Sequence, residues 1–152
     1  MSEPQQILVI DDAGVHKWET VVYTCADVRS EVVYITQEGL QYCRDALRRK
    51  HQFFLLELLD HLCSALTYPD IVIWDPSISV RDTLLYYRHV YIQSIHRRQL
   101  ICLVVKVRAG SKYLYNVFVQ QSGKLKGYNT LPSAAFPIWY IHPRKRPKQF
   151  GI

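Results

Sequence analysis

The chain has 152 residues, 49% of them hydrophobic and 21% charged, which suits one globular domain and excludes a collagen-like or disordered chain. No apolar run reaches the roughly 18 to 20 residues of a membrane span, since Glu57 interrupts the longest stretch, so no membrane partner is expected. The formal charge of +6 is segregated: residues 1–82 hold all 13 acids and 7 Lys or Arg, whereas residues 83–152 hold no acid and 12 Lys or Arg. A segment this cationic repels itself unless an anion meets it, so a polyanion is the natural partner. The competing reading is that the acidic half packs on the basic half and neutralises it internally.

Residues 6–10, 19–25 and 31–35 are short and rich in Val, Ile and Tyr, and they read as strands. Asp11-Asp12-Ala13-Gly14 between the first two is a turn composition, where Asp serves local backbone hydrogen bonds rather than a metal. Thr36 is placed to cap a helix over residues 37–50, with Leu40, Cys43 and Leu47 on its buried stripe. Arg48, Arg49, Lys50 and His51 end that helix, where cations either complement its dipole or face a phosphate. A second helix is predicted over residues 53–66, with Glu57, Asp60, His61 and Ser64 on its wetter side. Tyr68-Pro69-Asp70 stops it.

Four strand-like runs follow, over residues 71–74, 84–93, 100–108 and 113–121, joined by connections short enough for hairpins. The predicted fold is therefore α+β, two helices packed on one face of a four-stranded antiparallel sheet, with additional short N-terminal strands. Residues 1–128 read as a single domain, its sheet and helices mainly within 34–121, and residues 129–152 as a basic extension rich in proline and aromatics. Pro137, Pro143 and Pro147 are expected to keep that extension irregular. The four cysteines, Cys25, Cys43, Cys63 and Cys102, show no metal-ligand spacing and read as buried thiols of a reducing, cytoplasmic setting. The first residues lack the basic and apolar segments of a secretory leader. No metal and no cofactor is expected.

Alternation assigns faces in the strand over residues 100–108. Ile101, Leu103, Val105 and Val107 pack on the helices and send Cys102, Val104, Lys106 and Arg108 to the open side. In the strand before it, Tyr87, His89 and Tyr91 share one face and Tyr86, Arg88 and Val90 the other, and either set is compatible with the pattern.

The chain carries, in order, Tyr-Ile-Thr at 34–36, a helix ending Arg-Arg-Lys-His at 48–51, Tyr-Pro-Asp at 68–70, and strands bearing Leu-Leu-Tyr-Tyr-Arg and Leu-Val-Val-Lys-Val. This layout resembles the phage-type branch of the barnase/EndoU/colicin/RelE-like ribonuclease superfamily. The resemblance spans roughly residues 34–121. It implies a metal-independent endoribonuclease whose open sheet face holds the scissile phosphate, often deployed as a toxin with an acidic antitoxin. Arg49, His51 and Lys106 match basic positions of that pattern. Tyr42 and Cys43 stand where the family often has a histidine, and Val117 to Gln121 replace its Thr-Ala-Tyr.

Metal-independent RNA cleavage to a 2′,3′-cyclic phosphate needs a base for the 2′-hydroxyl, cations for the phosphorane and an acid for the leaving 5′-oxygen. With no carboxylate after Asp82, the base is a histidine or comes from the acidic half, which leaves His89, His51, Glu57 and Asp60. Arg88, Lys106 and Arg108 would stabilise charge, and Tyr87 or Tyr91 would hold the base or donate a proton. The catalytic candidates are thus His89, Arg88, Lys106, His51 and Tyr91. RNA contacts are expected from Arg49, Lys50, Arg108, Tyr87, Arg97, Arg98, Lys112, Lys124, Lys126, Arg144, Lys145 and Arg146, cations interleaved with stacking aromatics. The alternatives are a non-catalytic RNA- or DNA-binding module on the same scaffold, or a subunit whose basic face meets an acidic protein.

Overall fold

Alternation along the central strands sorts the molecule into two apolar layers, one on each side of a single sheet. The computed structural model describes residues 3–120 and 138–142. In chain order these form β1 (Gln6–Ile10), β2 (His16–Ala26), β3 (Val32–Thr36), α1 (Gln37–Arg49), a 3-10 helix (Phe53–His61), α2 (Leu62–Thr67), β4 (Ile71–Trp74), β5 (Thr83–Ile92), β6 (Arg97–Arg108), β7 (Ser111–Val119) and β8 (Ile138–Ile141). The fold is α+β: one eight-stranded mixed sheet, ordered β1-β2-β3-β7-β6-β5-β4-β8, with two helices packed against it. The expected antiparallel meander is present as β4-β5-β6-β7. The N-terminal strands extend the same sheet through a parallel pairing of β3 with β7.

Ile101, Leu103 and Val105 of β6 join Leu84 and Tyr86 of β5 and Val33 and Ile35 of β3 beneath the helices, which contribute Leu40, Cys43, Leu47, Leu62 and Leu66. Thr36 caps α1 as the sequence predicts, its Oγ1 accepting from Gly39 N at 2.9 Å. A Cβ on Gly39 would stand 2.8 Å from that same oxygen and 3.1 Å from the Leu114 carbonyl, so only glycine lets the helix start so close to β7. The predicted second helix is corrected: residues 53–61 wind as a 3-10 helix and only Leu62–Thr67 is α-helical. Leu55, Leu59, Leu62 and Leu66 still make one buried ridge through both parts. The 3-10 winding rises about 2.0 Å per residue against about 1.5 Å, so the same nine residues reach further across the sheet.

The side without helices is apolar through its middle. Ile71, Ile73, Leu85, Tyr87 and Cys102 are buried there, with Leu100, Val104, Phe118, Ile138 and Ile141 around them. At one end the β1–β2 hairpin covers it, Ile7 and Val9 packing on Tyr113 and the Tyr113 hydroxyl donating to the Ile10 carbonyl at 2.8 Å. The expectation that prolines keep the C-terminal segment irregular is overturned at Ile138–Ile141. These four β-prone residues lie between Pro137 and Pro143 and pair with the free edge of β4 as an edge strand, where a neighbouring proline costs no ladder bond.

Cys25 and Cys63 are joined in a disulfide with Cα atoms 5.1 Å apart, which ties β2 to α2. Four free thiols was the expectation for this chain, and it is corrected at these two positions, which lie 38 residues apart in sequence and meet only when α2 packs on β2. Cys43 and Cys102 are buried thiols, and burial pushes Cys43 up to about 12, so it stays protonated at neutral pH. No helix among the described residues is long and apolar enough to cross a membrane.

Candidate nucleic-acid site

Three of the expected phosphate-binding cations are turned inward. Lys106 is 3% exposed, its Nζ 2.9 Å from Asp12 Oδ1, donating to Thr83 Oγ1 at 3.0 Å and lying 4.9 Å from the Tyr115 ring centre. Arg108 donates to Asp82 at 2.7 Å, to Asp12 at 3.1 Å and to the Ile10 carbonyl at 2.7 Å. Lys112 is buried against Asp27 at 2.5 Å and Glu31 at 2.6 Å, with its Nζ 4.3 Å from the Trp139 ring. Every one of these carboxylates comes from residues 1–82. Internal neutralisation of the basic half therefore operates at Lys106, Arg108 and Lys112. The physical reason is that a lysine or arginine buried without a counter-charge costs several kcal/mol, and the hairpin and β2–β3 turn bring acids to it.

Burial alone would raise Asp12, Asp82 and Asp27. Hydrogen bonds from Lys106, Arg108 and Lys112 outweigh it, and all three carboxyls fall below their ordinary value. Burial likewise favours a neutral Arg108, and the bonds to Asp82 and Asp12 more than reverse that.

His89 does share the face of Lys106, because Thr83 pairs with Lys106 and His89 follows it by six residues, an even number, along β5. The same count sets them about 20 Å apart along the strand. Tyr87, the expected stacking residue, lies between them as part of the apolar layer, 4% exposed. Lys106 and His89 do not form one site.

A polar site does exist around His89, built by a difference in strand length. The last pair between β4 and β5 is Ile71 with Tyr87, while β5 and β6 continue to Ile92 and Arg97. Beyond β4 the turn Tyr68-Pro69-Asp70 fills the notch, and Asp70 accepts at Oδ2 from both the His89 backbone N, at 2.8 Å, and His89 Nδ1, at 3.1 Å. The contact at Asp70 Oδ2 holds the imidazole through Nδ1 and turns Nε2 away from the carboxylate. Arg88, alternating to the other face, folds over the same turn and donates through Nη1 to the Tyr68 carbonyl. β8 ends alongside, with His142 N donating to the Asp70 carbonyl at 2.9 Å. Asp70, Arg88, His89, Arg98, Tyr140 and His142 line one cavity of about 380 Å³.

The remaining candidates scatter. Tyr91 is exposed on the His89 face, its hydroxyl 3.4 Å from His96 Nδ1. Arg97 is exposed at the start of β6. His51, with a left-handed φ of 55°, ends α1 beside Phe53 and lines a different cavity with Glu57 and Ser94. Arg49 is exposed at the end of α1, while Lys50 reaches to within 5.2 Å of the Phe118 ring centre. Lys124, Lys126, Arg144, Lys145 and Arg146 lie outside the described residues.

Asp70, Tyr140 and His142 belong to the site and were not among the sequence candidates. Asp70 carried a signal, as an acid directly after a helix-stopping proline. His142 carried none, because its position depends on β8 pairing with β4. Comparison with protein-family models, curated proteins and solved structures finds no match for the chain.

Proposed function

We propose that the protein is a metal-independent endoribonuclease whose reactive centre is the notch at the end of β4. The observation that carries this reading is the His89–Asp70 pair standing in one cavity with His142, Arg88 and Arg98. Two imidazoles, two guanidinium groups and an orienting carboxylate are the groups that phosphodiester transfer needs. His89, its Nδ1 proton committed to Asp70, accepts the 2′-hydroxyl proton at Nε2. His142 donates to the leaving 5′-oxygen, and Arg88 and Arg98 carry the charge that develops on the phosphorane. Exposed Tyr68 and Tyr91 offer ring faces to the flanking bases of a single strand. The resemblance drawn from the sequence supports the same chemistry, with the site moved from Lys106 to the other end of β5.

The second reading is RNA binding without scission, favoured by the withdrawal of Lys106, the lysine expected to serve catalysis, into an internal ion pair with Asp12. One assay separates the two. Purified protein incubated with single-stranded RNA in excess EDTA is expected to yield fragments ending in 2′,3′-cyclic phosphate. His89→Ala and His142→Ala are each expected to lower the rate by about 10² or more while RNA affinity stays within about threefold. Salt-dependent binding with intact RNA leaves the binding module.

A further inference from the structure

A second cavity, of about 350 Å³, lies between the β1–β2 hairpin, the first turn of α1 and β7, and shares no lining residue with the His89 notch. Its walls are aromatic. Trp18 is 66% exposed, Tyr42 is 44% exposed and packs its ring 5.6 Å from that of Tyr115, and Tyr113 closes the floor. Trp18 lines the cavity with its ring open to solvent, so a ligand there can stack on it.

The polar lining is acidic, in a protein whose formal charge is +6. Asp11, Glu19 and Glu38 face the cavity with Lys17 as their counter-charge, which leaves two net negative charges. Lys17 sits at the rim, 56% exposed and 3.7 Å from Asp11. Glu38 is held by the Thr20 backbone N at 2.8 Å and Glu19 by the Thr36 hydroxyl at 2.6 Å. Neutral donors thus fix both carboxylates in place, and neither joins an ion pair among the described residues. Elsewhere acids of the fold are paired with lysine or arginine, as at Asp12, Asp27 and Asp82.

We infer that this cavity is a binding site for a small organic ammonium ion. Ring faces attract an alkyl-substituted cation whose hydration is weak, and the two fixed carboxylates supply the counter-charge. The volume suits a small molecule. Phosphate chemistry is disfavoured here by the same charge, so the site is separate from any grip on RNA.

The test is a titration of the full chain with choline chloride, followed by tryptophan fluorescence, against sodium chloride at equal ionic strength. Trp18→Phe distinguishes the Trp18 signal from those of Trp74 and Trp139. The expected result is saturation with a Kd of about 1 mM or below, loss of the signal in Trp18→Phe, and about tenfold weaker binding in Glu38→Gln. Glutamine keeps the acceptor for Thr20 N, so that variant changes charge without removing the local hydrogen bond. A response that never saturates, that sodium chloride reproduces, or that Glu38→Gln and Glu19→Gln both leave unchanged, overturns the proposal.

Discussion

Lys106 Nζ meets Asp12 Oδ1 at 2.9 Å, so the residue that the strand pattern sends to the open face is closed over by the hairpin carrying Asp12. The consequence is that Lys106 works for the fold. Lys106→Ala is expected to lower unfolding stability by about 2 kcal/mol, because the Thr83 hydroxyl loses its donor and a buried four-carbon stem leaves a void, while Asp12 remains open to water. RNA cleavage per folded molecule is expected to stay unchanged. Urea unfolding beside a cleavage assay checks both, and a loss of rate without loss of stability would return Lys106 to the site.

Asp70→Asn is expected to behave in the opposite way. The amide keeps the shape of the turn but gives His89 a neutral partner that no longer stabilises the imidazolium formed when the base takes its proton. Cleavage is expected to fall by about 10² with the melting temperature shifted by only a few degrees. A rate equal to the parent's, measured at saturating RNA, removes Asp70 from the mechanism.

Acid stability follows from three carboxyls. Asp12, Asp27 and Asp82 are depressed below the ordinary Asp value of 3.8 in the folded chain. A folded value below the unfolded one means that the stability they add is complete above pH 3.8 and is lost as pH falls through the folded values. The urea midpoint is expected to hold level in this respect from pH 7 to about 5 and then to drop steeply below about 4. Asp27→Asn, with Lys112 left to Glu31 alone, is expected to start lower at pH 7 and to show a shallower acid slope. Parallel pH profiles for the two proteins would contradict the assignment.

The Cys25–Cys63 bond closes a loop of 38 residues, and constraining the unfolded chain over that length is worth about 4 kcal/mol in the loop-entropy account. Cys63→Ser, or reduction by dithiothreitol, is expected to lower the unfolding stability by roughly that amount. Thiol titration of the unfolded chain before reduction is expected to find the two thiols of Cys43 and Cys102. Such a bond persists in an oxidising compartment, so oxidation state in the native host reports on the cytoplasmic address expected from the sequence.

Much of the architecture follows from one-dimensional pattern, because strand alternation and helix capping are local. Ile101, Leu103 and Val105 declare the buried side of β6, and Thr36 declares where α1 begins. Alternation left open which face of β5 joins Lys106, and the pairing of Thr83 with Lys106 places His89 on it. The acid-free second half, and with it the two readings of its charge, is plain in the sequence alone.

What local pattern lacks is reach. Asp12 meets Lys106 and Asp27 meets Lys112 across 94 and 85 positions, so which acid neutralises which cation depends on where the hairpin and the β2–β3 turn come to rest. Ile138–Ile141 becomes a strand only because β4 leaves an edge unpaired, and that pairing delivers His142 to Asp70. Charge composition settled how much positive charge the chain carries. Tertiary packing decided which of it faces water, since burying a cation is tolerable only where the fold supplies its counter-ion.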